Sequence, residues 1–167
     1  MRGLDLVVFR QPTRKQQNLR PVWGRWVFDA VFGRLRGVAI ILEAIDLSKI
    51  ISWPRKLSLE DRAEFERIVA DGHYVETDQR GTRFRPTEAA VRNTILYRTL
   101  LHEVGHWRDW KSRVLQACNP TDLDARARLE KAYFARPHSE REEVAHRYAA
   151  AQHARLRAEG KIPFDLI

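Results

Sequence analysis

Cysteine is almost missing from this chain: Cys118 is the only one in 167 residues. A lone thiol excludes an internal disulfide framework and any cysteine-rich zinc site. Long apolar runs are missing too. The run from Leu4 to Phe9 falls far short of the ~20 residues a membrane span needs. The N-terminal residues show no charged start leading into an apolar stretch and a small-residue cleavage site, so a cytoplasmic protein without a membrane partner is expected. There is no repeat, no low-complexity tract, and no helix-turn-helix, zinc-finger or RNP-like pattern.

Acidic residues are in short supply, 22 against 30 Lys and Arg, leaving a net charge of +8. The imbalance is local. Within residues 1–36, Arg2, Arg10, Arg14, Lys15, Arg20, Arg25, Arg34 and Arg36 face only Asp5 and Asp29, a net of +6. Residues 1–20 read as a basic, partly extended segment. Such a segment either attracts nucleic acid or another acidic partner, or simply solubilises the surface.

What is present suffices for a packed interior. Hydrophobic residues make up 44% of the chain, with five Trp and seven Phe, and the length suits one domain over residues 1–167. Leu4–Phe9 reads as a short strand. After Pro21 the pairs Val22/Trp23, Trp26/Val27 and Ala30/Val31 recur every four residues, which predicts a helix, although Gly24 and the aromatics leave a strand open. The β-branched run 37–44 predicts the most buried strand of one small sheet, with Lys49–Trp53 extending or flanking it. Ser58 caps a helix that stops at Asp71-Gly72, and 73–85 forms a hairpin; His73 is read there as structural. Thr87 caps a long helix running to about Lys111, the stretch Thr121-Asp122-Leu123-Asp124 caps the next through about Phe134, and Ser139 caps a last one from Glu140. Residues 161–167 form an apolar tail expected to dock on the domain.

Chemistry concentrates in Leu100-Leu101-His102-Glu103-Val104-Gly105-His106-Trp107. Residues four apart on a helix lie one above the other, so His102 and His106 can offer two imidazole nitrogens to one metal ion. Glu103 projects about 100° further round, where it can reach a water held by that metal and act as general base and then acid. Leu96, Leu100, Val104 and Trp107 form the stripe that faces the core. Gly105 admits another segment closely. Asp109, three residues past His106, either orients that imidazole or pairs with Arg113.

A zinc ion acting on peptides takes three protein ligands and keeps one position open. A third His six residues past His106 is excluded, because Ser112 stands there and Asp109 replaces the glycine of that pattern. The remaining donors lie on the last helix. Glu142 shares a face with Ala145, Ala149, Gln152 and Leu156, a small-residue surface suited to close contact, and ranks first. Glu140 and Glu143 are reserves, and His138 competes if the site is three-His. Ser139 and Glu142 also have capping-box spacing, which would engage the same carboxylate.

The two stretches, His102-Glu103-Val104-Gly105-His106 and Glu142-Glu143-Val144-Ala145-His146-Arg147-Tyr148-Ala149, together resemble the gluzincins. They are most similar to the ImmA/IrrE-type metallopeptidases, whose last motif reads roughly Glu-x-x-Ala-Asn-x-Phe-Ala. Glu142 falls on the ligand position, Ala145 on the Ala, Tyr148 on the Phe and Ala149 on the final Ala; His146 stands where Asn is common. The resemblance covers about residues 88–155. It implies an α+β, zincin-like fold, with a small mixed sheet packed on a long HExxH helix and further C-terminal helices. It also implies Zn²⁺ held by His102, His106 and Glu142, and hydrolysis of a peptide or regulatory protein with Glu103 as the base. Tyr148, His146 or His138 could stabilise the oxyanion, and a strand edge in the 73–85 hairpin could hold the substrate extended. The competing expectation is a basic nucleic-acid- or partner-binding domain with a structural metal or none.

Overall fold

The computed structural model describes residues 3–12, 22–79 and 81–164, without the side chain of Glu60. Half of the basic segment expected over 1–20, with Arg2, Arg14, Lys15 and Arg20, therefore lies outside the described residues. The architecture is mixed α and β, with two three-stranded sheets and helices following them. In the first sheet β1 (Leu6–Arg10) runs parallel to β3 (Leu35–Glu43), and β2 (Gly24–Phe32) runs antiparallel to β3 on its other side. Gly33, at φ +60°, opens the two-residue turn between β2 and β3, a conformation an L side chain resists. The second sheet, in the order β4-β6-β5, joins β4 (Ile51–Trp53) to the hairpin of β5 (Tyr74–Asp78) and β6 (Gly81–Arg85).

Between the strands of this second sheet lies α1 (Leu59–Ala70), opened by a capping box in which Ser58 and Asp61 satisfy each other's backbone N–H. A continuous helical run then covers residues 88–115. It begins as α2 (Glu88–Arg92) under a Thr87 cap, widens to π-helix over Asn93–Thr99, and tightens to α3 (Leu100–Trp110). It widens again over Lys111–Leu115. Two helices follow, α4 (Leu123–Ala135) and α5 (His138–Ala158).

The first sheet lays one face on this long run. Ile40 and Leu42 are fully buried with Trp23, Trp53, Ile68, Phe84 and Ile95, and Leu96, Leu100 and Val104 pack against them. A smaller cluster of Trp110, Val114 and Tyr133 joins α3 to α4, with Trp26 reaching it from β2. Contact at Gly24 is close: a β-carbon there would stand 2.7 Å from Thr99 Cγ2. Phe164 in the C-terminal tail donates its backbone N–H to the Tyr97 hydroxyl at 3.2 Å, while 165–167 lie outside the described residues.

Several expectations are corrected. The segment after Pro21 is a strand. A spacing of four is also a multiple of the two-residue strand period, so the pattern fits a strand as well as a helix. Pairing of Trp26 with Ile40 settles it as β2. Residues 51–53 belong to a second sheet and do not extend the first. The long helix runs past Lys111 to Leu115. Within the expected capping stretch 121–124, Asp122 is the residue that caps α4, through a hydrogen bond from Ala125 N–H. α5 starts at His138 behind Pro137, without a side-chain cap, so Ser139 lies within the helix and its capping box with Glu142 does not form.

Candidate metal centre

The centre lies where α3 crosses α5. Gly105 sets the crossing: a β-carbon there would stand 2.9 Å from Ala145 Cα and 3.0 Å from its carbonyl oxygen, so only the missing side chain lets the backbones meet. Ala145 is itself fully buried. With the helices this near, Glu142 reaches across. Its Oε2 stands 3.2 Å from His102 Nε2 and its Oε1 3.2 Å from His106 Nε2, while the two Nε2 atoms are 3.1 Å apart. The imidazole planes are nearly perpendicular.

Three side chains thus converge in a triangle, the two imidazole nitrogens facing each other and each facing a different oxygen of the one carboxylate. Around a tetrahedral ion with bonds of ~2.0–2.1 Å, ligand atoms stand about 3.3 Å apart, so these separations are of the size that ligands of a zinc-sized cation adopt. Burial pushes the Glu142 carboxyl up, but the hydrogen bonds and charges of His102 and His106 outweigh it and hold the group well below the usual carboxylate range. Glu142 is thus an anion at neutral pH, as a ligand must be.

Glu103 sits beside this triangle and is only 8% exposed. Burial raises its carboxyl above the ordinary value against the opposing pull of His102, His106 and a backbone hydrogen bond. That bond comes from β2: Trp26 N–H donates to Glu103 Oε2 at 2.7 Å. The strand that touches the site is therefore β2, the outer strand of the first sheet, rather than the 73–85 hairpin. No side-chain pattern could have announced this contact, because its donor is a backbone group.

The other candidates fall into place by contact. Glu140 turns to Arg136, 3.5 Å away, and Glu143 is exposed. His138 reaches Glu142 Oε1 at 3.2 Å, but its side chain is 74% exposed. Tyr148 packs its Cβ toward Gly105 and carries the Arg108 guanidinium over its ring at 5.6 Å. The His146 ring lies 4.4 Å from that of His102, and donor atoms of His102, Glu142 and His146 all fall within 4.8 Å of one another. Two overlapping triads therefore share His102 and Glu142, and the one with His106 is the tighter. Burial, His102 and Arg67 lower the His146 pKa to about 4, leaving it neutral at physiological pH.

Asp109 does not serve His106 in the way one of its two readings anticipated. It is buried and takes Arg113 Nε on one oxygen at 2.7 Å and Arg136 Nη1 on the other at 2.9 Å. Arg136 lies two residues before His138, so this ion pair ties the start of α5 to α3 and helps aim Glu142. Sequence reasoning missed that role, since nothing local links residues 109 and 136.

No protein-family model, curated protein or solved structure matches the chain. The likeness to ImmA/IrrE-type metallopeptidases rests on its two motifs.

Proposed function

We propose that the chain is a zinc-dependent metallopeptidase of the HExxH-plus-Glu type, acting on a peptide or protein. The observation that carries this reading is the triangle of His102, His106 and Glu142, two residues from one helix and one from another 36 positions later. A divalent cation held there supplies Lewis acidity, which acidifies water and polarises a carbonyl. Glu103 takes the proton. Its Oε2 is held by Trp26 N–H, so Oε1 is the oxygen left for the transfer. A buried carboxyl with a raised pKa accepts a proton readily and returns it to a departing amine. The outer edge of β2 runs past this carboxylate and is the natural place for an extended substrate to pair by strand addition.

Glu103→Gln tests the mechanism. It should keep bound zinc at the wild-type stoichiometry and abolish cleavage of an unstructured protein substrate; cleavage at the wild-type rate sinks the assignment. The second reading, a basic domain that binds nucleic acid or an acidic partner around a structural ion, is favoured by the net charge of +8. It would show as DNA affinity falling steeply with salt and lost on deleting residues 1–20.

A further inference from the structure

On α5, His138, Glu142 and His146 follow at intervals of four, one stripe along one face. Glu142 is already committed to His102 and His106. His138 touches Glu142 from the exposed first turn. His146 differs: it stands within reach of both Glu142 and His102, donor atoms inside 4.8 Å and rings 4.4 Å apart. That is ring-to-ring contact with one ligand and donor proximity to another. The motif that His146 belongs to in the similar metallopeptidases commonly carries Asn there, so this imidazole is a feature of the present chain.

We propose that His146 is a fourth ligating side chain, which makes the donor set three imidazoles and one carboxylate. The inference rests on the metal-centre half of the proposed function and is independent of peptidase activity. Four protein donors fill a tetrahedron and close it to water, so a centre of this composition stays open to water only by taking a fifth or sixth position. Octahedral-tolerant ions such as Co²⁺ and Mn²⁺ should therefore be held well beside Zn²⁺.

The test is Co²⁺ titration of the full chain after chelator stripping, read by visible absorption. Wild type should bind one Co²⁺ with the weak bands of a five- or six-coordinate ion. His146→Asn should weaken binding at least about tenfold and strengthen the bands toward the tetrahedral pattern. His146→Ala should recover the wild-type spectrum on adding free imidazole, which a purely structural role would not produce. Should His146→Asn match wild type in affinity and spectrum, or should His138→Ala be the variant that changes the spectrum, the assignment fails while the three-ligand centre stands. Should wild type bind no Co²⁺ or Zn²⁺, both readings fall.

Discussion

Two histidine clusters in this protein invite comparison, one around His73 and one between α3 and α5. Both are shielded and rich in charge. His73 is 5% exposed and its Nε2 meets Thr94 Oγ1 at 2.9 Å. Thr94 in turn donates to Asp71 Oδ2 at 2.7 Å, and Arg98 Nε donates to the same oxygen at 2.8 Å. Arg98 continues to Glu64, which also accepts the indole N–H of Trp23 at 2.8 Å. Each side chain along that chain meets the next, although the buried His73 Nδ1 has no hydrogen-bond partner among the described residues. At the other cluster, the Nε2 atoms of His102 and His106 face each other at 3.1 Å and each faces one oxygen of Glu142 at 3.2 Å. The first arrangement passes through a hydroxyl, a carboxylate and a guanidinium; the second brings together only groups that can ligate a metal. On the proposed function, that difference separates a histidine that holds the fold from one that holds a ligand.

The comparison breaks most sharply at the ligands. His106→Ala or Glu142→Ala should lower zinc affinity by more than about a hundredfold, measured by competition with a chromogenic chelator, and should remove the rise in melting temperature that added zinc is expected to give wild type. His73→Ala should leave zinc affinity unchanged. Equal losses in both would dissolve the distinction. Gly105→Ala comes next. Its β-carbon would collide with Ala145 backbone, so the helices must part, at roughly 1–3 kcal/mol of stability, with weaker zinc binding as Glu142 withdraws. Chemical denaturation and the same competition assay report the two effects separately.

Smaller effects sharpen the structural side. Thr94→Val removes the hydroxyl between His73 and Asp71 and should cost roughly 1–2 kcal/mol in urea unfolding, with metal binding intact. Tyr133 supplies a pH signature. Burial, then the neighbouring Asp109 carboxylate, raise its phenol from 10.0 to about 12. The fold thus favours the neutral phenol. That contribution is full below pH 10 and is lost as pH rises toward 12, up to about 2–3 kcal/mol. Tyr133→Phe should flatten that part of the alkaline melting profile and change little at neutral pH.

Much of this was legible in the chain because the signals are local. The caps at Ser58 and Thr87, the hairpin over 73–85, the buried strand at 37–44 and the one-turn spacing of His102 and His106 depend on neighbours a few residues away. The stripe of Ala145 and Ala149 beside Glu142 announced a tight helix contact, and Gly105 announced where. Failures cluster where two periods coincide or where a cap competes. Residues 22–31 fit a spacing of four as well as one of two. Ser139 had capping spacing to Glu142, but the helix began two residues earlier, at His138, and left that carboxylate to the histidines.

Sequence by itself determined which side chains could act as donors, and that two of them must sit one helical turn apart, because helix geometry is set by the backbone. Only the tertiary structure decided which distant carboxylate joins them. The small-residue face ranked Glu142 ahead of Glu140 and Glu143, but all three carry the same carboxylate and the ranking alone did not bring one of them to the imidazoles. The close crossing at Gly105 and Ala145, held by the Asp109–Arg136 ion pair, brings one of the three to 3.2 Å of both imidazoles. Packing between elements far apart in the chain selects by shape, which no local pattern encodes.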